Sequence, residues 1–224
     1  MKSKTSIICT LSVCMTLMLM TGCASSPPPM KKSGFLGDYS KLQQGPDGGA
    51  DYRYIRPNVD FSVYDKIMMD QVEFRFDEGA AYKGIQPDEL KKLADAFHKA
   101  MVEALQDSYP FVKESGPGVM RVRTAITDVV PSKPTLNTIT TIVPVGLAIS
   151  SIRKATTGVH ANVGQAAMEV EILDAQTGEP LATAVDREVG GKFDLVDGMT
   201  KWGHAEHIFE FWAKRMREWL DSVH

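Results

Sequence analysis

Apolar residues recur along the chain at two spacings, and each spacing predicts a different kind of element. In residues 72–76 and 119–130, apolar side chains alternate with polar ones, which is typical of a strand with one buried face. The alternation returns in residues 166–174 and 181–189. Residues 174–179 between them (DAQTGE) have the composition of a turn, so this part of the chain predicts a β-hairpin.

Two longer segments follow the period of an α-helix. The first is predicted to begin at Pro87, whose ring suits the first helical position, and to end before Pro110. The second is predicted from about Thr200 towards the end of the chain. The apolar stripes of the two segments include Leu90, Leu93, Phe97, Met101, Leu105, Trp202, Phe209, Trp212, Met216, Trp219 and Val223.

The order of these elements predicts a mixed α/β (α+β) fold. We expect a mixed sheet of about four strands, with the two long amphipathic helices packed on one face, in a single domain at residues 63–224. Residues 33–62 are rich in Gly, Pro and Asp but also hold several aromatic side chains. Since linkers seldom carry so many aromatics, we predict an irregular arm that packs on the domain.

The N-terminus has the pattern of an export signal. Lys2 and Lys4 precede an uncharged apolar run from Ile7 to Met20, which is shorter than the ~20 residues of a membrane-spanning helix. Residues 1–22 are therefore predicted to be a cleaved signal peptide. Residues 23–32 contain three consecutive prolines, which favour an extended tether.

The chain has three cysteines, and two of them lie in the signal peptide. Cleavage between Gly22 and Cys23 leaves Cys23 as the sole cysteine, so the mature chain cannot form an internal disulfide. The stretch LMTGCAS resembles the lipobox of bacterial lipoproteins, with Met20 where Leu is usual. That resemblance implies a Cys23 that carries diacylglycerol on its sulfur and an acyl group on its nitrogen. The alternative is a plain signal peptide with an incidental cysteine.

The lipobox resemblance also implies a location. The residue after Cys23 is Ala24 rather than the Asp that typically retains lipoproteins in the inner membrane. We therefore expect a lipid-anchored protein of the outer membrane that faces the periplasm.

The formal net charge is −3, and removal of Lys2 and Lys4 makes the mature chain more acidic. An acidic chain without a basic patch argues against nucleic acid as a partner.

Residues 134–152 are uncharged, which leaves two interpretations open. Pro144, Gly146 and the interspersed Thr, Ser and Asn disfavour a transmembrane helix. The stretch is either a buried element that completes the core or an apolar surface for an envelope protein or for self-assembly. The candidate interaction residues are Leu136, Ile139, Ile142, Val143, Val145, Leu147, Ile149 and Ile152.

Recognisable catalytic signatures are scarce. Ser151 and Lys154 match the S-x-x-K pair of penicillin-binding enzymes, but the companion S-D-N and K-T-G triplets are missing. His204, His207 and Glu210 have a spacing that could hold a metal on one helical face, although ordinary solvated side chains explain them as well. We predict no metal and no cofactor.

The acidic residues also give only weak indications of a catalytic or calcium-binding site. Paired carboxylates could serve hydrolysis, and Asp70, Glu73 and Asp128 lie on or beside predicted strands, where a wet sheet face also accounts for them. Asp47 and Asp51 could suggest calcium, but their spacing is not that of an EF-hand, and a turn is the better interpretation. The tryptophans at helical spacing are assigned to the core rather than to a ligand cage.

Several distinctive blocks resemble one family across nearly the whole mature chain. They include SGFLGDYSKL, GPDGGADYRYIRPNVDF, PGVMRVRTAITDVVPSKPTLNT, VGQAAMEVEILDAQTGEPLATAVDRE and WGHAEHIFEFWAKRMREWL. The family is the bacterial lipoproteins of domain of unknown function 3313. The resemblance implies a lipid anchor, but no activity and no catalytic residues. By analogy of fold alone, the element order is similar to small periplasmic modules such as lipoprotein activators of cell-wall synthases.

These observations favour a non-enzymatic binding or assembly module of the cell envelope. Its expected partners are membrane lipid, through acylated Cys23, and an envelope protein or a second copy of the chain. One alternative is a protein that binds a small apolar ligand or lipid, which requires a cavity between sheet and helices. Another is a hydrolase of cell-wall or lipid material, which requires a cleft with a nucleophile and a base within hydrogen-bond reach.

The lipidation hypothesis predicts a simple labelling result. Cells that express the full chain should incorporate labelled palmitate into it, and Cys23→Ala should abolish the label, because no other cysteine survives signal cleavage. Equal labelling of the two proteins, or no labelling of the unmodified chain, would contradict a lipid anchor at Cys23.

Overall fold

The computed structural model describes residues 29–76, 82, 84–131, 164–190 and 200–224. Within these ranges the chain forms an open mixed sheet and two long helices. The strands are β1 (Gln43–Gln44), β2 (Tyr52–Ile55), β3 (Lys66–Met69), β4 (Glu73–Phe74), β5 (Val119–Val130), β6 (Gln165–Asp174) and β7 (Pro180–Val189). The helices are α1 (Pro87–Leu105) and α2 (Gly203–Val223), and a short 3₁₀ turn occupies Phe61–Val63.

The strand order confirms a mixed sheet. Across the sheet the order is β1-β2-β7-β6-β5-β3, and β4 also pairs with β5. Neighbours are antiparallel from β1 to β5, whereas β3 and β4 run parallel to β5. Since β3 and β4 pair with successive parts of β5, they act as one edge strand that is interrupted between residues 69 and 73.

The prediction of about four strands was wrong, because the described sheet has seven. β1 and β2 lie in the segment expected to be irregular, and they extend the sheet beyond β7. The four side chains of β2 are all half-buried, so the strand lacks the alternation that marks β5 to β7. Its position depends on backbone hydrogen bonds to β7, which a pattern of side chains does not reveal.

The helix start that Pro87 predicted is confirmed, and α1 has a well-formed N-terminus. Gln86 and Glu89 form a capping box, with Pro87 in the first turn. Glu89 also accepts hydrogen bonds from Lys201 Nζ at 2.7 Å and Trp202 Nε1 at 3.2 Å, which ties this end of α1 to the residues before α2. The Lys201 hydrogen bond is the main reason that the pKa of Glu89 lies below its usual range.

Both helices cover one face of the sheet, hereafter the inner face. Phe97 of α1 and Phe209 of α2 meet edge-to-face, with ring centroids 5.4 Å apart. Beneath them lie buried strand residues such as Val122, Ile126 and Ile172, and together these side chains form the main core. In the described part of the chain, neither helix combines the length and apolarity needed to cross a membrane.

Residues 33–42 lie on the opposite, outer face. Phe35 and Leu36 are buried against Ala125 of β5. Glu169 of β6 accepts hydrogen bonds from the Ser33 backbone N–H at 2.8 Å and from the Tyr39 hydroxyl at 2.6 Å. Burial and the nearby Glu169 carboxylate raise the pKa of Tyr39, so its hydroxyl remains a donor at neutral pH.

Asp186 of β7 joins the sheet to α2 and to the loop before β2. Its carboxylate is buried, with 1% of the side chain exposed, and it accepts hydrogen bonds from Trp212 Nε1 at 2.6 Å and Arg215 Nη2 at 2.5 Å. Its other oxygen accepts the Asp51 backbone N–H at 2.9 Å. Arg215 in turn donates to the Gly49 carbonyl at 3.1 Å, so three chain segments meet at this carboxylate.

Removal of this carboxylate should destabilise the fold strongly. In Asp186→Ala, the Arg215 guanidinium and the Trp212 N–H lose a buried acceptor, and we expect the free energy of unfolding to fall by about 3 kcal/mol. Urea unfolding of the full chain measures this. As a matched control, Asp95→Ala removes an exposed carboxylate that pairs with Lys91 and should cost less than about 0.5 kcal/mol. Equal costs for the two variants would contradict the role assigned to Asp186.

Candidate functional site

An apolar pocket of about 130 Å³ lies between the two helices and the inner face of the sheet, and it is open on one side. Its helix wall comes from Phe97 and Met101 of α1 and from Trp212, Met216 and Trp219 of α2. On each helix these residues recur at intervals of three or four, so a single stripe both fills the core and lines the pocket.

The two tryptophans of the wall are held by other parts of the fold. Asp186 binds the Trp212 N–H, as described above. Trp219 meets Phe61 edge-to-face, with centroids 5.3 Å apart, and Phe61 belongs to the 3₁₀ turn that precedes β3. The shape of the wall is therefore set by contacts with the sheet and the turn as well as by α2 itself.

The floor of the pocket contains one continuous row of residues across four strands. Arg53 of β2 is opposite Ala184 of β7, Ala184 is opposite Val170 of β6, and Val170 is opposite Thr124 of β5. All four line the pocket. With neighbouring strands ~4.8 Å apart, the row extends about 14 Å from Arg53 to Thr124. It has a cation at one end, a hydroxyl at the other and two apolar side chains between them.

Thr124 is the unusual residue of this floor. It is 2% exposed, and its Oγ1 has no hydrogen-bond partner among the residues that the structure describes. A buried hydroxyl without a partner costs about 1–3 kcal/mol. The adjacent inner-face positions of β5 hold Val122 and Ile126, so Thr124 interrupts an otherwise apolar face.

The two arginines that line the pocket differ in their surroundings. Arg215 contacts Asp186 at 2.5 Å and Glu188 at 3.6 Å, so its charge is compensated inside the protein. Arg53 is half-buried, and no carboxylate or aromatic ring of the described chain pairs with it. Among the residues that the structure describes, Arg53 is therefore the lining cation that no carboxylate compensates.

The size of the pocket limits what can enter. A cavity of roughly 150 Å³ with apolar walls holds one benzene molecule. At about 130 Å³, this pocket has room for an apolar group of nearly that size. A longer molecule would continue through its open side.

Several predicted sites lie outside the described residues. These are the cleavage and lipidation positions Gly22 and Cys23, the S-x-x-K pair of Ser151 and Lys154, and the whole candidate interaction surface in residues 134–152.

The histidines near the start of α2 have separate surroundings. His207 Nδ1 lies 3.0 Å from Glu210, whereas His204 packs against the backbone of Gly164 and Gly190. A Cβ at Gly164 would lie 2.5 Å from the Cβ of His204, so this close approach requires glycine. Burial, with a smaller contribution from His207, lowers the pKa of His204. Within the described ranges, no three His, Cys, Asp or Glu residues cluster as metal ligands would.

The acidic residues singled out from the sequence are not brought together. Asp70 binds Arg121 through two contacts of 2.7 and 2.8 Å, and Glu73 pairs with an arginine two residues further on. Asp128 accepts from the Gln165 side chain at 2.7 Å. These carboxylates hold the outer face and the edge of the sheet together rather than forming a catalytic pair.

Two further interpretations can be compared with the structure. Asp47 lies in a turn closed by the Gly49 N–H and the Pro46 carbonyl at 2.9 Å, and the Asp51 backbone binds Asp186. The assignment of the tryptophans to the core was incomplete, because Trp212 and Trp219 also form the pocket wall.

No pattern in the sequence located the pocket or its lining residues in advance. Its one signal was Thr124, a polar residue on the apolar side of an alternating strand.

Comparisons with known proteins find similarity in sequence to a bacterial lipoprotein and a more distant similarity in fold to solved structures. A lipoprotein of Escherichia coli strain K12, the uncharacterized lipoprotein YdcL, is 30% identical over 177 residues, which cover 78% of each chain. A PelC dodecamer structure from Paraburkholderia phytofirmans has a TM-score of 0.40 at 7% identity and covers 74% of this chain and 94% of its own. Protein XCC0632 of Xanthomonas campestris has a TM-score of 0.40 at 8% identity, with 75% and 90% covered.

The homology supports the prediction of an exported protein with a membrane anchor, since the Escherichia coli relative is a lipoprotein. The family model agrees with the sequence resemblance and matches residues 31–216, which include every described strand and most of α2. The chain therefore belongs to the family described as protein of unknown function DUF3313.

Proposed function

We propose that this lipoprotein is a non-enzymatic binding protein of the cell envelope, and that it receives an apolar group in the pocket between its helices and sheet. In this proposal, acylated Cys23 holds it in the outer membrane with the folded domain in the periplasm. The observation that carries the proposal is the pocket itself, with its apolar walls between the helices and the sheet.

The physical argument starts from the apolar walls of the pocket. The pocket is open to solvent, so water contacts these walls when no ligand is bound. An apolar occupant would remove the walls and its own surface from water, at roughly 25 cal/mol per Å² of apolar area. This removal of apolar surface from water is a favourable basis for binding.

The side chains in the pocket favour binding over catalysis. The ionisable residues that line it are Arg53, Tyr54 and Arg215. Arginine stays protonated in proteins and cannot accept a proton, and Arg215 is engaged with Asp186 and Glu188. A hydrolase needs a general base beside a nucleophile, and these lining residues do not supply that pair.

The anchor would keep the pocket close to a membrane. Residues Pro29–Lys31 lie on the outer face beside Asp51 and Tyr52, and the preceding residues Gly49 and Ala50 border the pocket. The six residue steps from Cys23 to Pro29 span at most about 20 Å. A lipid-anchored domain would thus be held near a source of apolar molecules.

Filling the pocket should abolish binding without harming the fold. Ala184→Leu adds three carbons to the floor, and we expect it to weaken binding of octan-1-ol at least about tenfold, because the added side chain takes the space of the ligand. The measurement is methionine-methyl NMR of the mature acylated chain in phosphatidylcholine nanodiscs. Met101, Met168 and Met216 line the pocket and report on binding, while Met120 is buried elsewhere and serves as an internal reference.

The matched control is Ala96→Leu, which adds the same atoms to α1 at a half-buried position that does not line the pocket. This variant should bind octan-1-ol like the unmodified protein. No response of the three pocket methionines to octan-1-ol, or an equal loss of binding in both variants, would refute the pocket as a binding site.

The Thr124 hydroxyl gives a separate test. Thr124→Val keeps the shape of the side chain but removes the unpartnered hydroxyl, so we expect the free energy of unfolding without ligand to rise by about 1 kcal/mol. Urea unfolding of the two full chains measures the difference. A decrease in stability would show that the hydroxyl has a stabilising partner in the unliganded protein.

A further inference from the structure

The row of residues in the pocket floor indicates the chemical class and the orientation of the ligand, in addition to its apolar character. We infer that the ligand is an anionic amphiphile whose head group binds Arg53 and which lays one alkyl chain across the strands towards Thr124. The inference rests on the proposed function, and it adds the chemical class and the orientation of the ligand.

The head-group assignment follows from the charges around the pocket. Arg53 is half-buried on β2, and the described chain provides it with no carboxylate. The two acidic side chains on the inner face of neighbouring β7, Asp186 and Glu188, both contact Arg215. A guanidinium offers paired donors that match a carboxylate or a phosphate, and such charge-assisted hydrogen bonds are stronger than neutral ones.

The orientation follows from the strand register. Between Arg53 and Thr124 the row contains only Ala184 and Val170, so the floor is apolar along the line that joins the two polar ends. Trp212 faces this line from α2. The row is about 14 Å long, which suits an extended chain better than a compact ring. A chain laid along the strands instead would leave the Arg53 end of the row unused.

Arg53 also lies close in sequence to residues that approach the start of the described chain. Gly49 and Ala50 precede β2 and line the pocket, and Asp51 and Tyr52 line a second depression together with residues 29–31. The head group would therefore bind near the segment that leads to Cys23. Two sources share this chemistry, namely a free fatty acid and one chain of an anionic phospholipid of the surrounding membrane.

The test compares octanoate with octan-1-ol, which differ in the charge of the head group. Binding to the mature acylated chain in phosphatidylcholine nanodiscs is followed by the methyl signals of Met101, Met168 and Met216, with free ligand concentrations corrected for partition into the lipid. We expect octanoate to bind the unmodified protein at least about fivefold more tightly than octan-1-ol. Arg53→Gln should reduce octanoate affinity about tenfold and leave octan-1-ol affinity unchanged.

The matched control is Arg56→Gln. It removes the same charge just after β2, from a side chain that pairs with Glu179 and does not line the pocket. This variant should keep the preference for octanoate. A preference that Arg56→Gln abolishes and Arg53→Gln leaves intact would overturn the head-group assignment.

The remaining outcomes separate this inference from the proposed function. Equal affinities for the two probes, unchanged in Arg53→Gln, would overturn the anionic ligand and leave an apolar binding site. Failure of both probes to bind would overturn the binding site and the inference together.

A final arm of the experiment adds phosphatidylglycerol to the nanodiscs. If it displaces octanoate, the ligand comes from membrane phospholipid, and if it does not, the ligand is a free fatty acid.

Discussion

The buried carboxylate of Asp186 is the interaction on which the arrangement of this domain depends. It lies on the inner face of β7 and binds α2 through Trp212 and Arg215 and the loop before β2 through the Asp51 backbone. A buried charge is tolerated only when its hydrogen-bonding capacity is filled, so these partners must remain in place together. α2, β7 and the loop before β2 are thereby held together, and Trp212, Arg215 and Gly49 of these segments line the pocket.

The two faces of the sheet are covered by different parts of the chain. On the outer face, Glu169 binds Ser33 and Tyr39, and Phe35 and Leu36 cover the strands, so this side holds the segment that follows the tether. On the inner face, the helices bury most of the apolar surface but leave a pocket next to β2. The segment at residues 49–53 borders both regions. The segment that follows the predicted tether and the proposed ligand site therefore approach the same region of the sheet from opposite faces.

Periodicity predicted the elements that bury a regular stripe of side chains. The bounds expected for β5 agree with the structure, and both helices and the β6–β7 hairpin occur where their patterns placed them. The prediction failed for β1 and β2, whose side chains are exposed or half-buried without alternation and whose place depends on backbone pairing with β7. It also placed one strand at residues 72–76, where the structure has the two-residue β4, and the parallel β3 before it completes the same edge.

By itself, the sequence determined the local features of this protein: the export signal pattern, the lone cysteine that follows it, the two amphipathic helices and the hairpin. Each depends on neighbours within about twenty residues, so composition and spacing suffice. Only the tertiary structure decided the rest. Arg53, Ala184, Val170 and Thr124 come from four strands and form one row because of strand register. Asp186 becomes a buried junction because α2 folds back over β7 and because the loop before β2, much earlier in the chain, reaches the same carboxylate, and no local pattern encodes such contacts.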